Sequence, residues 1–415
     1  MSAKKTILLL SDHPLSTSGV GTQARWLIEG LVSTGRFSFR CFGGAIKHED
    51  YNEIVVNPDF VIKPTNGFGD EMMLRKALVQ IKPDALMLFT DPRFFQWVIA
   101  MEDEVHQICP IAYNHLWDNK PWPEFNRTFY ESIDLINCIN HPTYEMVHER
   151  FADKTNYIPH AVPKELFKPL PEADVQRFKR AVLGPTRADH FVGMFVSRNA
   201  RRKMANDILV SWAAFINDLK QKHGVAKATM VMHADPLDPE GANLYHVIDL
   251  LGIKEHVVFS KDRVGFPEMV GLYNMCDFVV NRSCAEGFGL GTLEAMMCGK
   301  PIIAIKTGGL TRQVEDWQTG EQYGIALEPD VKCLVGNQTV PFIYEDYVSH
   351  ETLTNAFIKM YEMGPQARTE LGKKAMMHAH ADYDLPTVIK QWDTTLTTCI
   401  ENWRQQHQRW THVEL

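Results

Sequence analysis

Apolar residues along this chain follow two patterns in turn: short runs that are apolar at every position, and longer stretches in which they return every third or fourth residue. The first pattern predicts strands buried on both faces, and the second predicts helices with one apolar side. Residues 6–10 open as a strand. Val20, Ala24, Leu27, Ile28 and Leu31 then repeat at helical spacing until Gly35 ends the helix, and FSFRCFGG supplies the next strand. MLRKALVQI continues as a helix, PDALMLF as a strand, PIAYNHLW as a strand that delivers Asn114, His115 and Trp117 to a loop, and IDLINC as another strand before a helix near Pro142. A second series begins with a strand at 191–196 and a helix whose apolar face includes Ile208, Leu209, Trp212 and Phe215. ATMVMHA and HVVFSKD are further strands around the helix NLYHVIDLLGI. MVGLYNMCD is a short helix, DFVVNRS a buried strand, and IIAI and TGGL continue the sheet. Strands that alternate with helices predict parallel sheets, here an α/β protein with doubly wound domains.

The candidate chemistry gathers just after DFVVNRS, in CAEGFGLGTLEAMMCGKP. Gly287, Gly289 and Gly291 allow a tight turn and a close approach of backbone to ligand, and residues 292–297 continue as a helix. This places free N–H groups and the positive end of a helix dipole beyond the carboxyl end of a parallel strand, where an anionic phosphate binds well. Glu286 in the loop and Glu294 on the first turns of the helix bracket that corner. A bare phosphate has no use for two carboxylates, whereas a phosphate attached to sugars does, because carboxylates accept hydrogen bonds from vicinal hydroxyls. The stretch therefore points to a nucleotide-sugar site.

Composition narrows the class. At 415 residues the chain is too long for one ordinary core and fits two or three domains, and 45% hydrophobic with 23% charged residues is a globular balance. No apolar run of about 18 residues exists, and MSAKKTILLL lacks one long enough for a signal peptide, so a cytoplasmic protein with no integral membrane segment is expected. The eight cysteines form no C-x-x-C pair and read as reduced thiols, and a net charge of −8 argues against a polybasic surface.

EGFGLGTLEAMMCGKPIIAIKTGG resembles the donor-site signature of glycosyltransferase family 4, retaining enzymes of the GT-B fold, through Glu286, Gly287, Phe288, Gly289, Leu290, Leu293, Glu294, Ala295, Met296, Gly299 and Pro301. The resemblance implies two doubly wound, Rossmann-like domains facing across a cleft: an acceptor-side domain at 1–165, a linker at 166–185 and a donor domain at 186–386, with a last helix at 387–415 packing back on the first. It implies a metal-independent hexosyl- or pentosyltransferase that takes a nucleoside diphosphate sugar as donor substrate, needs no cofactor, and moves the sugar to an acceptor hydroxyl with retained configuration. Carried over by position, Glu294 holds the ribose and Glu286 lies near a sugar hydroxyl, while Arg198 and Lys203 grip the diphosphate with Arg201 and Arg202 beside them. His115 then contacts the donor sugar or the reacting centre, Phe288, Gly289 and Leu290 belong to the phosphate turn, and Gly19 and Gly21 lie near the donor's phosphate and sugar. Residues 260–263 follow a strand where related enzymes hold the base. The sequence departs from the family pattern at Ala161 and Pro163, where Gly and Asp are usual, and at Arg312, where an acid is usual.

Other signals compete. Gly19-x-Gly21-x-x-Ala24 spells a dinucleotide fingerprint, but its glycines come too late after the strand and no ribose-binding acid follows the second strand. His378, His380, Asp382 and Asp384 alternate like metal ligands, yet their place after a surface helix favours Asp384 as a cap for the terminal helix. WDNKPWPEFN is either an acceptor-binding loop or a packed surface loop. The acceptor is a glycan first, with a hydroxylated DNA base, a lipid-linked sugar, a protein or a small metabolite also compatible. A GT-B phosphorylase or epimerase and a non-catalytic sugar-nucleotide-binding protein are the alternatives.

Overall fold

The computed structural model describes residues 4–407. The chain divides into two compact units, one holding the described residues of Met1–Ala161, Gly336–Phe342 and Leu385–Leu415, the other Val162–Val335 and Ile343–Asp384.

The first unit is built on an 8-stranded sheet whose strands are β1 (Lys5–Asp12), β2 (Phe37–Gly44), β3 (Ile54–Asn57), β4 (Phe60–Pro64), β5 (Ala85–Thr90), β6 (Ile111–His115), β7 (Leu135–Cys138) and β8 (Thr155–Tyr157). Their order is β3-β4-β2-β1-β5-β6-β7-β8, parallel except for the edge hairpin of β3 with β4. The unbroken apolar run of β1 has a simple cause: Ile7 and Leu9 enter the core on one face of the sheet, while Leu8 and Leu10 enter the core on the other. The helix Gly19–Ser33 is capped by Ser18, whose side chain accepts from Gly21 N, and its Leu27, Ile28 and Leu31 pack with Ile389, Trp392 and Leu396 of the terminal helix Leu385–Gln406.

The second unit carries a 6-stranded, all-parallel sheet of β9 (Phe191–Val196), β10 (Ala228–His233), β11 (Val257–Phe259), β12 (Phe278–Asn281), β13 (Ile302–Ile305) and β14 (Gly324–Leu327), in the order β11-β10-β9-β12-β13-β14. An antiparallel hairpin of β15 (Val331–Val335) and β16 (Ile343–Tyr347) completes its strands. Its core is strongly aromatic: Phe191 stacks on Phe278 at 5.3 Å, and Trp212 lies 4.9 Å from Phe215 and 5.3 Å from Phe357.

Some expectations change in the structure. TGGL does not continue the sheet; Gly308 and Gly309 turn the chain into the helix Leu310–Val314. Residues 166–185 lie in the second unit and include the helix Glu172–Leu183. The eight cysteines are free thiols. No helix among the described residues is long and apolar enough to cross a membrane.

Candidate functional site

In the second sheet β9 lies between β10 and β12, so the chain connections diverge at that point and a crevice opens beyond the strands' carboxyl ends. The two signals singled out in the sequence meet there. After β9 comes a turn of helix, Arg201–Lys203, and after β12 comes the loop that holds Glu286. Arg202 staples one to the other: its Nη1 donates to the Ala285 carbonyl at 2.8 Å, and the Cys284 N–H donates to the Arg202 carbonyl at 2.9 Å.

Lys203 Nζ forms an ion pair with Glu286 Oε2, and the two side chains are only 10% and 12% exposed. The same oxygen lies 3.1 Å from Ser283 Oγ and 3.4 Å from Asn281 Nδ2, so a lysine, a hydroxyl and an amide converge on one carboxylate. Burial pushes the Glu286 carboxyl up, but the charges of Lys203 and Arg202 outweigh it and hold the group down to about 2. Glu286 is therefore an anion at neutral pH.

The helix Leu290–Met297 begins at Gly289, which has φ +92° and offers no side-chain cap, so the first amides point out of the helix end as a cradle for an anion. Gly309 closes against this loop, its N–H donating to the Glu286 carbonyl at 3.1 Å. A β-carbon on Gly309 would sit 2.5 Å from both the Cα and the carbonyl oxygen of Phe288, and backbone cannot yield as a side chain can. Gly309→Ala is accordingly expected to displace the loop and lower the thermal midpoint by several degrees, about 2–4 °C per kcal/mol in a domain of this size. An unchanged midpoint in calorimetry would show that the loop adapts without cost.

Glu294, on the exit side of that first turn, accepts a hydrogen bond from Tyr273 at 2.6 Å. Burial raises its carboxyl from the ordinary 4.5 to about 7, against the opposing pull of the Tyr273 hydroxyl. Between those two values the folded chain holds a proton that the unfolded chain has lost, so this group's contribution to stability falls as pH rises through the window. Tyr273→Phe removes a donor to the ionised form, and the Glu294 titration, followed by carboxyl NMR, is expected to move further up. A midpoint that stays near the wild-type value would remove that bond from the account.

The remaining predicted residues disperse. Arg198 does not share the Lys203–Glu286 cluster; it donates to Asp238 at 2.7 and 3.2 Å and pairs with Glu240 at 3.1 Å. Arg201 is held by Glu345. Phe288 is buried edge-on against Tyr383 at 5.7 Å, with its carbonyl accepting from Gln313, and Leu290 is the first residue of the helix. Gly19 and Gly21 open a helix of the first unit at its own strand-order reversal, between β1 and β5. His115 is fully buried: Tyr113 and Tyr130 take its two ring nitrogens at 3.0 and 2.9 Å, and burial lowers its pKa to about 3. It is built as a neutral core histidine, with no ring nitrogen left for a ligand in this arrangement.

Of the competing signals, WDNKPWPEFN is a packed loop, with Trp117 buried and Arg150 lying 4.6 Å from the Trp122 ring. His378 stacks on Tyr323 at 4.1 Å and hydrogen-bonds the Arg312 carbonyl, and Asp384, directly before the terminal helix, also pairs with Lys164 at 3.0 Å. Arg312, where the family has an acid, lies 4.6 Å over the ring of Trp317. Among the residues not anticipated, Tyr273 sits in the stretch LYNMCD and would have been found by asking which hydroxyl a buried Glu294 needs; Asn281 ends the buried strand and Ser283 follows two residues on, and buried polar residues beside apolar ones are themselves a signal.

Residues 194–324 match the family model described as Glycosyl transferases group 1. Two curated proteins, both named D-inositol 3-phosphate glycosyltransferase, are 30% identical: one from Paenarthrobacter aurescens over 168 residues, 40% of this chain and 39% of that protein, the other from Corynebacterium jeikeium over 235 residues, 54% of each. The chain thus spans about half or less of the length of these relatives. Among solved structures, sucrose-phosphate synthase from Thermosynechococcus elongatus superposes with TM-score 0.72 at 18% identity, over 96% of this chain and 100% of that one. The Anabaena Alr3699/HepE protein, in complex with UDP and glucose, superposes with TM-score 0.67 at 18% identity, over 95% and 100%. These likenesses establish a GT-B fold.

Proposed function

We propose that this chain, a glycosyltransferase family 4-like protein of the GT-B fold, transfers a sugar from a nucleoside diphosphate sugar to an acceptor hydroxyl with retention of anomeric configuration. The observation that carries the reading is the convergence, at the strand-order reversal of the second sheet, of an uncapped helix end, the Lys203–Glu286 pair and the hydroxyl-accepting Glu294. An anion, a cation and amide dipoles in one largely buried corner suit a molecule that is anionic in its middle and hydroxylated on either side.

In this reading the diphosphate lies on the helix amides at Leu290 with Lys203 beside it, Glu294 accepts from the ribose hydroxyls, and Glu286 accepts from a hydroxyl of the sugar. The bond between the anomeric carbon and the terminal phosphate oxygen breaks, its electron pair passes to the phosphate, and Lys203 and the amides neutralise that charge. Arg198 joins them only on leaving Asp238 and Glu240. The acceptor oxygen bonds to the anomeric carbon on the same face, and its proton goes to the departing phosphate. No protein nucleophile is needed. The anionic state of Glu286 also suits a nucleophile, so mass spectrometry of the protein after donor turnover decides: a trapped glycosyl-Glu286 adduct would replace the front-face route with a double displacement.

UDP-glucose is the first donor to test, because the Anabaena protein is described with UDP and glucose, and an inositol phosphate is the first acceptor, by the names of the curated relatives. Other glycans follow, and a hydroxylated DNA base would betray itself by steep salt dependence. Titration with UDP, ADP and GDP, then transfer assays with and without EDTA, test the reading; full activity in EDTA supports metal-independent transfer. Donor converted completely without any acceptor hydroxyl would mark an epimerase or phosphorylase instead.

A further inference from the structure

Two consecutive acids on β16, Glu345 and Asp346, are 4% and 2% exposed, an unusual depth for carboxylates on a two-stranded hairpin. Successive residues of a strand point to opposite faces, so one short strand can reach loops on both of its sides. Glu345 takes Arg201 with both carboxylate oxygens, one of these contacts being 3.1 Å, and also accepts from the Tyr347 hydroxyl. Asp346 accepts from Thr307 Oγ1 at 2.7 Å, and its own N–H donates to the Cys284 carbonyl at 2.7 Å. Arg201 belongs to the cationic turn that carries Lys203, Cys284 lies two residues before Glu286, and Thr307 opens the turn that holds Gly309. One strand therefore grips, through adjacent residues, the three loops that form the phosphate corner.

We propose that the β15–β16 hairpin is a brace for that corner, with Glu345 and Asp346 as positioning residues that set the spacing of the three loops and so the affinity for the diphosphate. The outer strand of the hairpin supports a bracing role over a core role. Four of the five residues of β15 are exposed and the fifth is half-buried, so burial of apolar surface on that strand does not explain why the hairpin is there. Its buried atoms are concentrated instead in the two acids that face the loops. The brace is defined by these contacts, whereas its role in donor binding rests on the proposed function.

Amide hydrogen exchange of the whole ligand-free protein tests the brace, and calorimetric UDP binding tests its purpose. In Asp346→Ala, exchange in 306–310 is expected to rise about tenfold or more, as for a segment that has lost its tertiary tether. Thr307→Val, which deletes the same bond from the other side, should reproduce the change, and the double variant should add nothing further. Asp346→Asn keeps an acceptor for the hydroxyl and should restore protection. Glu345→Gln should loosen 198–204 in the same way. In the loosened variants UDP should bind about tenfold more weakly, because misplacement by a fraction of an ångström is enough to spoil converging contacts. Unchanged exchange in all variants would overturn the brace, and loosened loops with wild-type UDP affinity would overturn its role in setting that affinity. A wild-type protein that binds none of UDP, ADP and GDP, yet shows the exchange changes, would overturn the donor-site reading and leave the brace standing.

Discussion

Lys203→Ala lowers kcat/KM for the donor by about two orders of magnitude or more, the usual loss when a preorganised charge partner of a departing anion is removed. The expectation follows from where the ammonium is held: it is nearly closed off from solvent and pinned by Glu286, so it needs no reorganisation to meet a phosphate. The variant also tests the fold, because it leaves Glu286 without its counter-ion. Breaking a buried pair from one side costs about 3 kcal/mol or more. Loss of turnover could then reflect a weakened protein, and a second variant separates the two. Lys203→Ala combined with Glu286→Gln removes both charges, so stability should largely return while transfer stays lost. The pH dependence gives a further check. Glu286 titrates near 2 in the fold against an ordinary 4.5, so its contribution is present above 4.5 and disappears as pH falls toward 2. That part of the acid sensitivity should be missing from the double variant. Near-normal turnover in Lys203→Ala, with the fold intact, would take Lys203 out of the site.

Glu294→Ala is expected to cost a similar factor, about a hundredfold or more, if the carboxylate holds the nucleotide in the geometry that transfer requires. The distinguishing observation is again a titration. Its carboxyl is raised to about 7 by burial, so it gains its full charge only on the alkaline side of neutrality. A carboxylate accepts from two hydroxyls, whereas the acid turns one of its oxygens into an O–H donor, so donor kcat/KM should climb between pH 6 and 8 in the wild type. Glu294→Gln should be both slower and flat across that range. A wild-type profile without the rise, or a Gln variant that retains it, would place the titrating group elsewhere.

Much of the candidate site was legible in sequence because its chemistry is local. Glu286, Gly289 and Glu294 lie within one loop and one helix turn, so the order of residues already dictates the order of groups in space. Lys203 also joined the corner, since the strand-order reversal brings the ends of β9 and β12 side by side. What could not be read was the choice of partner among residues far apart in the chain. Arg198 and Lys203 look equivalent on paper, yet one meets Asp238 and the other Glu286. His115 sits at the carboxyl end of its strand, where a ligand-binding residue is expected, but two tyrosines, one of them on a neighbouring helix, enclose it. The β15–β16 hairpin escaped for a different reason: its outer strand is exposed at four of five positions, so it lacks the alternation of apolar and polar positions that betrays a half-buried strand.

The terminal helix Leu385–Gln406 supplies Ile389, Trp392 and Leu396 to the core of the first unit, although the whole second unit is made before it. During synthesis the early half of the chain must therefore wait on the ribosome with the faces of Leu27, Ile28 and Leu31 uncovered until the last helix emerges. The second unit, Val162–Val335 with Ile343–Asp384, has all its residues one helix earlier. The order in which the halves are translated is thus the reverse of the order in which they can be finished, and the nascent amino-terminal half is the one that needs shelter from aggregation.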